Sequence, residues 1–185
     1  MKYLLGFIAL LVIAGGLYYG INHNNNSKTS PTINASNNNG VIDLSNQGLT
    51  KVTPNIYNQT DTSELILSNN SIKTLPSQMG GMTKLVIFKI DHNLLEGSLI
   101  GEIRQMSQLI LLDASYNHMT GVPAEIGQLS KLQTLNLSYN KITGLPNELA
   151  NLKTNLKELD LIGNPLSQTT IAKLQTELPN TKIVF

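Results

Sequence analysis

The sequence predicts an α/β solenoid: a stack of short coils, each giving one strand to a parallel sheet and returning through a short helical segment. Three observations predict it. A motif recurs six times at nearly constant spacing, each copy alternates apolar and polar residues, and each then places an Asn (Gln in the first copy) and a further apolar residue before the alternation stops. The stretch LQTLNLSYNKITGLP at 132–146 shows all three, with Leu132, Leu135 and Leu137, then Asn140, Ile142 and Leu145-Pro146.

The copies begin at Asn39, Thr62, Leu85, Leu109, Leu132 and Leu156, at intervals of 23, 23, 24, 23 and 24 residues. Such a period indicates a supersecondary unit that buries its apolar face only by stacking on its neighbours. The alternation within a copy has the two-residue period of a strand, so alternate leucines point inward. The Asn ends the strand, and its amide can donate to and accept from backbone groups of adjoining coils. Stacking therefore predicts a ladder of Asn70, Asn93, Asn117, Asn140 and Asn164, with Gln47 in the first copy's place. Leu49, Ile72, Leu95, Met119, Ile142 and Leu166 then close the interior. The steps Leu75-Pro76, Val122-Pro123 and Leu145-Pro146 open the return, where Pro suits the first turn of a short helix or 3-10 segment.

These motifs resemble the leucine-rich repeat family, of the bacterial type, whose pattern LxxLxLxxNxL is followed by xxLPxxIxxLxx. The resemblance covers about residues 39–166. It implies a curved solenoid with a parallel sheet on the concave face, short helical or 3-10 returns on the convex side, and a protein-binding role for the concave face. The copy from Leu85 departs from the pattern. Its EGSLIGEIRQMSQ lacks the Pro and carries an extra residue, with Leu99 in the apolar slot and Ile100 where Pro would stand. This is similar to the plant-like LxGxIP variant; the simpler reading is an insertion on the convex side. Beyond Asn164 the period breaks. Ile171, Leu174 and Leu178 share one helical face, Pro179-Asn180 turns the chain, and Ile183, Val184 and Phe185 add an extended piece. Residues 167–185 thus predict a C-terminal cap, which a stack needs to cover its open end. Residues around Val41 and Ile42 are the candidates at the other end.

Ahead of the repeats, residues 3–21 (YLLGFIALLVIAGGLYYGI) are uncharged and almost wholly apolar. As a helix they would span about 28 Å, the thickness of a bilayer's hydrocarbon core. Residues 1–21 are therefore expected to be a signal anchor forming a single transmembrane helix, with Tyr18 and Tyr19 at the interface. The alternative is a cleaved signal peptide, with Leu4–Ile13 as its apolar run and Ala14-Gly15-Gly16 as the processing site. Either reading puts the domain outside the cytoplasm, membrane-anchored in the periplasm or at the cell surface, or else secreted. Residues 22–40, crowded with Asn, predict a flexible linker with a reach of about 24 Å. Residues 41–185 remain as the repeat domain.

Net charge is +1, with 13 basic and 12 acidic residues, so there is no electrostatic footprint for nucleic acid. The chain has no Cys, which removes disulfides, thiol catalysis and thiolate metal sites. Of the three His, His23 falls in the linker, His118 in a turn and His92 on the sheet. His92 with Asp91 and Asp113 lacks the ligand count of a zinc site. The expectation is a protein that is not an enzyme and uses no cofactor or metal.

Function is sought instead on the side chains that alternate with the buried leucines. One column runs Val41, Glu64, Ile87, Leu111, Thr134, Glu158, the next Asp43, Ile66, Lys89, Asp113, Asn136, Asp160, and a third Ser45, Ser68, Asp91, Ser115, Ser138, Ile162. Beside the Asn ladder lie Asn46, Asn69, His92, Tyr116 and Tyr139. Ile66, Ile87 and Leu111 are apolar where a solvated face would be polar, and with Tyr116 and Tyr139 they form a candidate contact patch. Asp91, Asp113 and Asp160 give it an acidic tilt that suits a basic partner. The predicted partner-binding set is completed by Lys89, His92 and Asn136. The alternative function is a structural role in the cell envelope with no specific partner on this face.

Overall fold

A computed structural model describes residues 40–185; the expected anchor and the linker up to residue 39 lie outside the described residues. Among the described residues no helix is long and apolar enough to cross a membrane. Gly40, expected as the end of the linker, is already tied to the second coil: its carbonyl accepts from the Ser63 and Glu64 amides at 2.7 and 3.1 Å.

The strands are β1 (Val41–Asp43), β2 (Glu64–Ile66), β3 (Ile87–Lys89), β4 (Glu96–Gly97), β5 (Leu111–Asp113), β6 (His118–Met119), β7 (Thr134–Asn136), β8 (Glu158–Asp160) and β9 (Lys182–Val184). Seven of them form one sheet in the order β1-β2-β3-β5-β7-β8-β9, every pair parallel. The register follows the repeat without slippage: Val41, Glu64, Ile87, Leu111, Thr134, Glu158 and Lys182 are successive neighbours, as are the residues two positions on. A one-residue slip would turn every inward leucine to solvent, so burial fixes this register.

The middle residue of each repeat strand points inward. Ile42, Leu65, Phe88, Leu112, Leu135 and Leu159 are buried, and Leu44, Leu67, Ile90, Ala114, Leu137 and Leu161 form a second inward row. The returns supply the opposite wall, through Met79, Met82, Ile103, Met106, Ile126, Leu129, Leu149 and Leu152. All belong to one continuous core.

The first return contains a helix, α1 (Pro54–Tyr57); the next four are 3-10 segments at Ser77–Gly81, Gly101–Gln105, Ala124–Gln128 and Asn147–Leu152. Pro54, which is not among the prolines expected to open a return, occupies the first turn of α1. In the 3-10 returns, however, Pro76, Pro123 and Pro146 sit one residue earlier, at the cap, with φ between −74° and −69° and ψ of 143–148°. Proline fixes only φ, and that value serves an extended residue as well as a helical one. Ile100 takes the same place with φ −68° and ψ 142°, so this backbone geometry does not depend on proline. The extra residue in that copy does not lengthen its 3-10 segment, which keeps five residues like those of the coils beside it. The chain there forms β4, which pairs in parallel with β6, and Gly97 turns at φ +70°. His118 is therefore in a strand rather than the expected turn.

Adjacent returns approach very closely. A Cβ built on Gly127 would lie 2.1 Å from the Glu148 carbonyl oxygen, so glycine is what allows the Ala124–Gln128 and Asn147–Leu152 segments to meet. At the C-terminal end α2 (Gln168–Glu177) is capped by Ser167, whose hydroxyl accepts from the Thr170 amide at 3.1 Å. Leu174 and Leu178 are buried and Ile171 is half-buried, while β9 adds the last strand beside β8.

Candidate functional site

The outer face of the sheet is framed by two polar devices at the strand ends. The first is the Asn column. Asn93 Nδ2 donates to the carbonyls of Leu67 and Ile90, Asn117 to those of Ile90 and Ala114, and Asn140 to those of Ala114 and Leu137, all at 2.9–3.2 Å. Asn70 and Asn164 do the same for their own coil and the one before. Each Oδ1 in turn accepts an amide of the preceding coil: Leu49 to Asn70, Ile72 to Asn93, Leu95 to Asn117, Met119 to Asn140 and Ile142 to Asn164. Gln47, in the first copy's place, donates its side-chain amide only locally, to the Ser45 carbonyl, while its backbone amide donates to Asn70 Oδ1.

The second device is a run of left-handed residues immediately before the Asn. Asn46, Asn69, His92, Tyr116 and Tyr139 have φ of 51–58°, and Gly163 continues the column at φ +74°. This conformation costs a bulky residue about 1–2 kcal/mol. Here the rings meet one another. His92 stacks on Tyr116 with centroids 4.2 Å apart and Tyr116 on Tyr139 at 4.3 Å, the planes within 16°. Two such contacts, at about 0.5–1.5 kcal/mol each, offset part of the strain. Gly163 lies against Tyr139, where a Cβ would come within 2.8 Å of the ring.

Several predicted site residues also hold the backbone. Asp113 Oδ1 accepts from the Ser115 amide and hydroxyl at 3.0 and 2.7 Å, and Asn136 Oδ1 accepts from those of Ser138 at 3.1 and 2.7 Å. Asp160 Oδ1 accepts from the Ile162 amide at 3.0 Å, and Asp43 does likewise with Ser45. Ser68, Ser115 and Ser138 are buried, so the third column does not project there as an open row of side chains. The alignment of an Asp or Asn two residues before a Ser in three copies was the signal for this pairing. Asp91 accepts from the Ser68 hydroxyl and lies 3.0 Å from His92 Nδ1.

Asp113 Oδ2 accepts from Asn136 Nδ2 at 3.2 Å. Burial pushes the Asp113 carboxyl above its ordinary pKa; the Ser115 hydrogen bonds oppose this, the Asp91 charge adds to it, and the Asn136 contact opposes it. Lys89 stands opposite Asp113 in the ladder but forms no ion pair with a described residue.

On this frame Ile87 and Leu111 are direct cross-strand neighbours and Ile66 pairs with Lys89, all three half-buried. Tyr116 and Tyr139 are the exposed large hydrophobic side chains of the face, at 44% and 47%. The fold thus brings Ile66, Ile87, Lys89, Asp91, His92, Leu111, Asp113 and Tyr116 onto neighbouring strand segments, with Asn136 and Tyr139 one coil on and Asp160 two. Among the described residues no group of three His, Cys, Asp or Glu could hold a metal ion. What this surface offers is apolar contact bordered by carboxylates.

Residues 107–166 match the family model for leucine rich repeats. The parallel sheet with its short 3-10 returns matches a leucine-rich repeat solenoid. Its structure is similar to that of a leucine-rich repeat protein of Leptospira interrogans, with 34% identity and a TM-score of 0.70 over 74% of this chain and 34% of that one. It is also similar to the Arabidopsis receptor kinase HAESA, solved with the peptide hormone IDA and the co-receptor SERK1, at 27% identity and a TM-score of 0.67 over 78% and 25% of the two chains. A third likeness is to the leucine-rich repeat ectodomain of the Arabidopsis thaliana receptor kinase GASSHO1/SCHENGEN3, solved with CASPARIAN STRIP INTEGRITY FACTOR 2, at 28% identity and a TM-score of 0.61 over 71% and 16%. The chain thus spans about a third or less of the length of these proteins. No curated protein matches it.

Proposed function

We propose that the repeat domain is a recognition module that binds another protein through the outer face of its sheet, the side expected to be concave. The observation that carries this reading is that one parallel sheet in unbroken register carries half-buried Ile66, Ile87 and Leu111 and, at the far ends of the same coils and the next, the exposed Tyr116–Tyr139 stack. Half-buried aliphatic groups beside exposed aromatic ones are the composition of contact patches. The similar receptor ectodomains were solved with peptide or protein ligands, which supports the same class of role here. The module would be displayed outside the cytoplasm, anchored through residues 3–21 and held off the membrane by the Asn-rich segment that follows.

Affinity capture with the full chain and with an Ile87→Asp/Leu111→Asp variant tests the reading. The expected result is a partner recovered by the natural protein and lost by a variant whose circular dichroism is unchanged. Identical recovery by both would overturn it. Digestion of whole cells by an added protease tests the display: the repeat domain should be cut away, and its protection would place it inside.

A further inference from the structure

The recognition face is unevenly charged. Asp43, Glu64, Asp91, Asp113 and Asp160 are set against Lys89 and His92, while Glu158 is matched by Lys182 at 2.8 Å. Asp113 is bonded by a hydroxyl, a backbone amide and a side-chain amide, all neutral. The Asp91 carboxylate has one partner able to carry charge, His92. A carboxylate withdrawn from water costs free energy that neutral donors offset only in part, whereas a cation supplied from outside offsets more.

Geometry narrows the fit. Leu111 and Asp113 are two residues apart on β5, about 6.7 Å along the strand. On β3 Ile87 stands opposite Leu111 and Lys89 opposite Asp113, and Asp91, two residues past Lys89, is close enough for its charge to act on Asp113. An extended partner has the same two-residue repeat, so it can seat an apolar side chain and a charged one on adjacent points of this lattice. The Tyr rings do not offer their faces to a cation, since Tyr116 lies between His92 and Tyr139 and Gly163 packs on Tyr139. They present edges and hydroxyls, a wall beside the seat rather than the seat itself.

We propose that the partner presents an extended segment with a basic side chain two residues from an apolar one, the apolar group resting on Ile87 and Leu111 and the cation lodging between Asp91 and Asp113. This rests on the protein-binding reading and names its chemistry. Arginine suits the position better than lysine, because its planar fork can bond two carboxylates at once.

The test uses the full chain in detergent and three fluorescent nine-residue peptides, read by anisotropy at physiological salt. They carry Leu and Arg, Leu and Glu, or Ser and Arg at alternate positions with Ser between them (Leu-Ser-Arg-Ser for the first), so that both test side chains share one face. The Leu/Arg peptide should bind, and each of the others should bind about tenfold or more weakly. Asp113→Asn and Asp91→Asn should each weaken the Leu/Arg peptide about tenfold. Asp61→Asn, at an exposed carboxylate that lies ahead of β2 and pairs with Lys84, should leave it unchanged, and Lys89→Met should strengthen it by removing a competing charge. Equal binding of the Leu/Glu peptide, indifference to Asp113→Asn and Asp91→Asn, or no binding by any peptide each overturns the proposal. If the peptides fail in one of these ways while partner capture still depends on Ile87 and Leu111, only the cationic chemistry falls. Capture that ignores Ile87→Asp/Leu111→Asp removes the protein-binding reading beneath it.

Discussion

Asn117 satisfies backbone groups of two coils with one amide: Nδ2 reaches the carbonyls of Ile90, Ala114 and Ser115 at 3.0–3.2 Å, and Oδ1 accepts the Leu95 amide at 2.9 Å. Replacing it with Ala strands several buried polar groups, each worth about 1–3 kcal/mol, so urea denaturation of Asn117→Ala should show a loss of at least about 3 kcal/mol. Asp113 behaves oppositely. Its folded pKa is raised, so the native state holds the proton more tightly than the unfolded chain does. The resulting penalty is absent below the unfolded pKa, grows as pH rises toward the folded pKa and is complete above it. Asp113→Asn, which copies the arrangement of Asn136 in the next coil, should therefore melt higher than the natural protein at pH 7 and lose that advantage near pH 3. A lower melting temperature at pH 7 would refute it. The amide column was legible in the sequence because a strand-ending Asn at one register has few other uses. The serine pairing had a signal, an Asp or Asn two residues before Ser; the ring stack had none, since it depends on which side chains a left-handed turn sets beside one another.

At the scale of elements, the returns govern how closely coils can stack. Gly127→Ala would force a methyl group into the Glu148 carbonyl, and overpacking of this kind costs about 1–3 kcal/mol. Gly144 has nothing within 4 Å of the same position, and Gly144→Ala should stay within about 0.5 kcal/mol of the natural protein. Thermal denaturation of the two variants side by side checks the contrast. Copy boundaries and strand register could be read from Leu85, Leu109 and Leu132 because the spacing and the two-residue alternation state both. The β4–β6 pair could not, because two residues carry no periodicity. Nor could the position of Pro76, Pro123 and Pro146 at the caps, where ψ, on which proline is silent, decides.

Across the whole domain, each coil shelters the leucines of the next, so stability spreads through neighbours and the ends need cover. Leu174 lies buried in α2 at the last coil. Leu174→Ala should cost about 2–4 kcal/mol, and hydrogen exchange should quicken first in β8 and β9 while β2 and β3 keep their protection. Uniform loss of protection would contradict this order. The cap was visible in the sequence as a break in period with a helical face of Ile171, Leu174 and Leu178. The in-register Asn column has one further, mechanical consequence. Because each amide ties its coil only to the one before, a force applied at the two ends should not rupture the domain in a single event. It should peel away turn by turn, each step in an optical trap releasing about 80 Å of chain, and the sawtooth spacing would measure the repeat directly.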